Sequence, residues 1–233
     1  MNNKRKILVF SGAGVSKESG IETFRDSKES LWNNFKIEDV ATIDAWRRNK
    51  EVVLDFYNER RKQLKIVQTN KAHELLAKLE DYFEVTIATQ NVDDLHERAG
   101  STNILHLHGN IRLAKSSGPN QEKKLYPIDG WELTKNDLCE DGYRLRPHVV
   151  WFGEAVPALE DAIPLIESAD VFVVIGTSLQ VYPAAGLIHY APKTATKILI
   201  DPNLDSFSIP SDFIKIAKNS TAAIQDLKDL LKI

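Results

Sequence analysis

The sequence predicts an α/β protein: a doubly wound parallel sheet, Rossmann-like, with a small inserted lobe. Three observations predict it. Short runs rich in apolar, branched residues recur along the 233 residues, at 7–10, 84–89, 171–175 and 197–200, and read as buried strands. Segments of helical periodicity separate them, the alternation that a parallel sheet with crossover helices requires. Polar and glycine-bearing clusters stand where the strands end, at Gly12, Gln90-Asn91, His108, Gly176-Thr-Ser178 and Asp201. Sheets of this kind bind ligands at the carboxyl ends of their strands.

The first strand, 7–10, runs into Gly12-Ala-Gly-Val-Ser16. Gly12 and Gly14 let the backbone turn sharply and approach something bulky. Residues 13–18 read as a short helix whose free N–H groups suit a phosphate or pyrophosphate. A dinucleotide fingerprint Gly-x-Gly-x-x-Gly would have glycine where Lys17 stands, and the next glycine is Gly20. Taken alone, the turn therefore reads equally as a tight structural one. The following Gly20-Ile-Glu-Thr-Phe-Arg-Asp26 adds a cation, Arg25, and a ring cover, Phe24.

Further on, Thr42 caps a helix to 48, and 50–65 forms a longer amphipathic one. Residues 70–82 carry Ala72, Leu75, Leu76 and Leu79 at helical spacing. The strand 84–89 leads into Gln90-Asn-Val-Asp-Asp-Leu-His-Glu-Arg-Ala-Gly100, a helix closed by Gly100. A third strand, 103–107, ends in His108-Gly109. Residues 110–145 are charged, with scattered apolar residues, and form the inserted lobe; a second insertion spans about 27–70. Regularity returns at Arg146-Pro-His-Val-Val-Trp-Phe-Gly-Glu154, followed by a helix at 158–168 and the strand 171–175. A helix at 183–190 has Pro183 in its first turn. Strands at 197–200 and 213–216 and a helix at 221–231 follow, and the whole reads as a single domain.

Composition removes several classes. Apolar residues make up 42% and charged residues 27%, enough for a core and ordinary for a water-soluble chain. The formal charge of −3 supplies no positive field for nucleic acid. No apolar stretch approaches the ~20 residues of a membrane span. The basic start enters a strand directly, without a signal-peptide core, so a cytoplasmic location is expected. The single cysteine, Cys139, can form neither an internal disulfide nor a cysteine-based zinc site, and reads as a packing residue.

Read together, Gly12-Ala-Gly-Val-Ser16 with Gly20 to Arg25, Thr89-Gln-Asn-Val-Asp93, His106-Leu-His-Gly109, Arg146 to Glu154 and Gly176-Thr-Ser178 resemble the sirtuin family. These are NAD-consuming protein lysine deacylases, and the motifs occur in the family's order. The resemblance implies NAD bound by Gly12, Ala13, Gly14, Thr23, Phe24, Arg25, Gln90, Asn91, Asp93, Gly176, Thr177, Ser178, Asp201 and Thr221. His108 is implied as the base, because a histidine titrates near working pH. Asn91 and Asp93 would complete the catalytic set by holding the nicotinamide carboxamide and nearby ribose. Asp201 stands where many sirtuins carry asparagine and would accept from the adenine-ribose hydroxyls. Val150, Phe152 and Gly153 would line the acyl-lysine tunnel, with the substrate backbone pairing there as an added strand.

Tyr57 and Arg60 are three apart and share a helical face. They resemble the tyrosine-x-x-arginine pair of the sirtuins that remove succinyl and malonyl groups, a planar fork for a carboxylate. The resemblance departs at the zinc site: most sirtuins carry two Cys-x-x-Cys pairs in the lobe, and here 110–145 holds only Cys139. No metal is expected. The lobe would be held by Ile111, Leu113, Leu125, Tyr126, Ile128, Trp131 and Leu133.

Blander readings stand beside these. His106 and His108 also read as a core pair or a two-histidine metal site, Asn91 and Asp93 as helix caps, 149–152 as a buried strand, and 60–62 as a solvated charge run. NAD hydrolysis or ADP-ribosyl transfer, and a non-catalytic NAD-sensing module, are the alternative functions.

Overall fold

The computed structural model describes residues 4–21, 35–121, 123–204 and 209–233. Six parallel strands form the main sheet, in the order β3 (Ile104–His106), β2 (Glu84–Thr89), β1 (Lys6–Ser11), β7 (Val171–Ile175), β8 (Thr196–Ile200) and β9 (Phe213–Ile216). Successive side chains of a strand point to opposite faces, so an unbroken apolar run needs cover on both sides. On one face Ile7, Val9, Val173 and Ile198 pack against α5 (Lys71–Lys78) and α8 (Ile224–Leu231). On the other, Leu8, Phe10, Phe172 and Val174 pack against α7 (Ala158–Glu167) and the 3-10 helix Ala184–Tyr190.

The chain moves outward from β1 to β3, then returns to the opposite side of β1 as β7. That reversal opens a crevice at the carboxyl ends of β1 and β7. Its floor is unusually close-packed. Gly12 N–H donates to Ile175 O at 3.1 Å and Gly14 N–H to Gly176 O at 2.7 Å. A Cβ on Gly12 would lie 2.6 Å from Thr177 Cβ, and one on Gly14 would lie 2.8 Å from Gly176 O. The bulky neighbour that these glycines admit is thus the end of β7 itself.

A third core gathers α2 (Ile37–Val40), α3 (Ile43–Arg48), α4 (Lys50–Ile66) and an antiparallel sheet of β5 (Leu125–Pro127), β4 (Gly109–Ser116) and β6 (Leu145–Val149). Thr42 caps α3 by accepting from Ala45 N–H, as its sequence position predicts. Ile111, Ile128 and Leu133 are buried there, whereas Leu113 and Trp131 are half-buried and Leu125 is exposed. Among the described residues no group of three or more His, Cys, Asp or Glu is placed to hold a metal ion.

A buried polar clasp ties α4 to this lobe. The Asn58 side chain donates to Leu133 O and accepts from Leu133 N–H, at 3.1 and 2.9 Å. Arg61, fully buried, donates to Trp131 O at 2.7 Å, Ile111 O at 3.2 Å and Asn58 Oδ1 at 2.5 Å. The run 60–62 is therefore no uniform solvated face: only Lys62 behaves so, pairing with Glu59 at 2.6 Å.

Element ends differ from expectation in small ways. The helix predicted over 70–82 ends at Lys78 and tightens to a 3-10 turn, Leu79–Asp81. The 183–190 helix is wholly 3-10, in keeping with a short run interrupted by Gly186, a weak helix former. The last helix starts at Ile224 and not at 221. No helix of the described residues is long and apolar enough to cross a membrane.

Candidate active site

Two clefts open at the strand ends. The first, about 740 Å³, lies over the β1–β7 crevice and is lined by Ala13, Gly14, Gly176, Thr177, Ser178 and Asp201. The second, about 260 Å³, lies between the sheet and the lobe and is lined by Tyr57, Arg60, Asn91, His108, Phe152 and Gly153 among others. Ala13, Gln90 and Val181 belong to both walls, so the clefts meet there.

Gln90 stands at that junction and organises it. Its N–H donates to Ser11 O at 2.9 Å, and its side-chain Oε1 accepts from the Thr177 hydroxyl at 2.9 Å. Its buried Nε2 has no hydrogen-bond partner among the described residues. Its carbonyl accepts from His108 Nδ1 at 3.1 Å. A carbonyl cannot donate, so Nδ1 carries the proton and Nε2 is the basic atom. Burial holds the His108 pKa below its ordinary value, against the pull of the Gln90 carbonyl. The ring is therefore neutral near pH 7.

His106 has a different task. It bridges Asn91 O at 2.9 Å and Glu97 Oε1 at 2.7 Å, a structural link that also raises its pKa despite its burial. The two histidines are thus neither a core pair nor a two-histidine metal site.

Asn91 donates both amide hydrogens to the protein, to Gly12 O at 3.1 Å and Ser16 Oγ at 3.0 Å. It ties the glycine turn to the end of β2, which leaves its side-chain carbonyl as what it can offer a ligand. Asp93 accepts from Leu95 N–H at 3.2 Å in an Asx turn, one residue before the N-cap Asp94, so it is not the helix cap. Burial pushes its carboxyl pKa up, and it faces a small recess shared with Arg60 and Val92.

The second cleft is framed by a buried ion pair. Arg146 and Glu154 join the two ends of the 146–154 segment through bonds of 2.7 and 2.8 Å, and Glu154 also accepts from Trp151 N–H at 2.8 Å. The guanidinium lies 3.5 Å from the centre of the Trp151 ring. Trp151 Nε1–H donates to the Tyr57 hydroxyl at 3.0 Å, and burial pushes Tyr57 up to about 12. Tyr57 therefore stays protonated and can donate its own hydrogen. Val150 N–H is bound to His108 O at 2.9 Å, and Phe152 N–H to Ala41 O at 2.9 Å. Gly153 has φ +88, a turn that favours glycine, so the segment turns away after Phe152 and does not continue as a strand.

Most residues expected at the site line one of the clefts. Asp201 does so while accepting from Asn203 N–H at 2.8 Å, and burial raises its pKa. Gly12 lies in the floor. Thr221 does not line the cleft: its N–H and hydroxyl are both bound to Glu18, and Asn219 and Ser220 form the wall instead. Thr23, Phe24 and Arg25 lie outside the described residues. Lys17, Glu18 and Asn203 also line the first cleft, and no motif in the sequence singled them out.

A long crevice at the switch point of a doubly wound sheet, walled by glycine backbone and closed by an unsatisfied amide, fits a dinucleotide. The sequence profile of the Sir2 family matches residues 12–183. The chain belongs to the Sir2 family. A Bacteroides thetaiotaomicron protein named NAD-dependent protein deacylase is 49% identical over 97% of this chain and 98% of its own. A Helicobacter pylori protein of the same name is 48% identical over 96% of each. Among solved structures, a Sir2 homologue in complex with NAD shares 35% identity with a TM-score of 0.83, over 98% of this chain and 90% of that one. A mutant Sir2 homologue bound to ADP-ribose has a TM-score of 0.85 at 34% identity, over 99% and 94%.

Proposed function

We propose that the protein is an NAD-dependent protein lysine deacylase that removes acetyl and also acidic acyl groups, succinyl and malonyl. Acyl-lysine, NAD and one water would give free lysine, nicotinamide and acyl-ADP-ribose: the acyl oxygen would take the place of nicotinamide on the ribose carbon, and water would be taken up as the lysine amine leaves. The observation that carries the acidic-acyl reading is that Tyr57 and Arg60 line the same cleft as His108. A guanidinium and a phenol O–H in a partly desolvated wall suit a carboxylate and are superfluous for a methyl group.

NAD supplies the electrophilic ribose carbon and the hydroxyl that receives the acyl group. The chain's residues do the rest. The crevice over β1 and β7 holds the adenosine and pyrophosphate portions, with Asp201 accepting from ribose hydroxyls. Gln90, Asn91 and Asp93 orient the nicotinamide end. His108, neutral and with Nε2 unprotonated, is the residue that would accept a proton from a ribose hydroxyl of bound NAD. Val150, Phe152 and Gly153 hold the acyl-lysine, and the peptide backbone docks alongside them.

The test is mass spectrometry of matched acetyl- and succinyl-lysine peptides with NAD, for the wild type and His108→Ala. Loss of both acyl groups with acyl-ADP-ribose formation, abolished in the variant, is the expected result. Removal of acetyl alone would sink the acidic-acyl reading. Nicotinamide release with both peptides intact would replace the deacylase by an NAD hydrolase.

A further inference from the structure

Behind the site, away from either cleft, a buried hydrogen-bond chain ends on the turn that carries Gln90 and Asn91. Its far end is His96, on α6 (Leu95–Arg98), only 1% exposed. His96 Nε2 lies 2.9 Å from Ser11 Oγ, and the Ser11 hydroxyl donates to Thr89 Oγ1 at 2.9 Å. With the serine hydrogen so committed, His96 must be the donor in the first of these bonds. Thr89 Oγ1 in turn accepts from Asn91 N–H at 3.0 Å. Ser11 and Thr89 are fully buried. Ser11 also accepts from Gln90 N–H through its carbonyl, so both peptide groups at the turn hang on these residues.

The imidazole is itself locked in place. The buried His73 ring packs edge-on against it at 5.0 Å between centroids, and His73 is fixed by the capping box that opens α5. Burial lowers the pKa of His96 to about 3, so the ring keeps a single N–H and the chain keeps one direction.

We infer that His96 is a positioning residue for the nicotinamide end of the dinucleotide site, acting through Ser11 and Thr89 on the turn that presents Gln90 and Asn91. This rests on the assignment of Asn91 and Asp93 to that end. Asp201 and Asn203, on the far wall of the first cleft, make no bond to the chain among the described residues; the glycine turn and Thr177 are reached only through the Asn91 and Gln90 side chains. A loosened turn should therefore cost more affinity for NAD than for ADP-ribose, which lacks nicotinamide.

Calorimetric titration with NAD and with ADP-ribose tests this on the wild type and on His96→Leu, His96→Gln, Ser11→Ala and Asp93→Asn. His96→Leu should weaken NAD by about five- to tenfold, the scale of one buried hydrogen bond, and leave ADP-ribose within about twofold. His96→Gln, whose side-chain N–H can replace the imidazole donor, should restore most of the loss. Ser11→Ala removes the link without emptying the ring's place and should reproduce the split if His96→Leu does not fold. Equal weakening of both ligands, or of neither, with the split still present in Asp93→Asn, would overturn the inference. No split in Asp93→Asn would show that the nicotinamide end is misassigned, and the inference would fall with it.

Discussion

His108 gives its Nδ1 hydrogen to the carbonyl of Gln90, the residue whose side chain stands where the two clefts meet. One residue thus fixes both the tautomer of His108, the proposed base, and the junction of the two clefts. Because burial lowers the His108 pKa, the base is deprotonated to below pH 6.5. The acid limb of kcat/KM should accordingly have its midpoint under 6.5, with a plateau at pH 7. A pH–rate profile with saturating NAD checks this, and a midpoint above 6.5 would contradict it.

Arg60 and Tyr57 should set acyl preference and not catalysis. Removing one partner of a desolvated charge pair costs about 2–5 kcal/mol, so Arg60→Met should lower kcat/KM for succinyl-lysine by roughly 30-fold to over 1,000-fold. Acetyl-lysine should change little. Steady-state kinetics on matched peptides decides it, and an equal loss on both would leave Arg60 a general structural role. Tyr57→Phe carries a second consequence, because it strips the acceptor from buried Trp151 Nε1. A stability loss of about 1–3 kcal/mol should accompany it.

Much of this was legible in the sequence, for reasons that differ by residue. Strands such as Val171–Ile175 show themselves because burial on both faces demands an unbroken apolar run. The residues at strand ends show themselves because polar groups there contradict the run before them. What escaped was whatever depends on contacts distant in sequence. Arg61 sits in a charge run and is fully buried, since its carbonyl partners lie 50 and 70 residues away. Nothing in the sequence around His96 separates it from an ordinary surface or packing residue, and its link to Ser11 spans 85 residues. Thr221 is bound to Glu18 across 203 residues. Local periodicity carries no trace of such pairings.

The Asn58 and Arg61 clasp should contribute substantially to the stability of the lobe. Arg61→Met leaves the buried carbonyls of Trp131 and Ile111 without donors, and Asn58→Ala strips both partners from the backbone of Leu133. At about 1–3 kcal/mol for each buried group left unpaired, either variant should lower the urea midpoint clearly. EDTA should leave the wild-type midpoint unchanged, because a lobe held by protein bonds has no metal-linked folding energy to lose. A drop in the midpoint on chelation would overturn that account.

Stability should fall on mild acidification, and the buried histidines set its sign. Burial lowers His73 to about 4 and His96 to about 3, whereas both titrate near 6.5 in the unfolded chain. Between those limits the unfolded state binds more protons, so stability declines as pH falls below about 6.5 and is complete above it. At full titration the two together give a slope of up to about 2.7 kcal/mol per pH unit. His106 opposes them: its raised pKa adds stability below 6.5 that is lost as pH climbs through the folded value. Burial lowers His108 as well, so three depressed histidines against one raised leave the net histidine slope positive. Urea unfolding at pH 7, 6 and 5 should therefore show a falling free energy, and His96→Gln, which cannot titrate, should flatten the decline by about half. A wild-type free energy that stayed level across that range would mean that the histidine pair is not sealed from water as the packing of α5 against α6 requires.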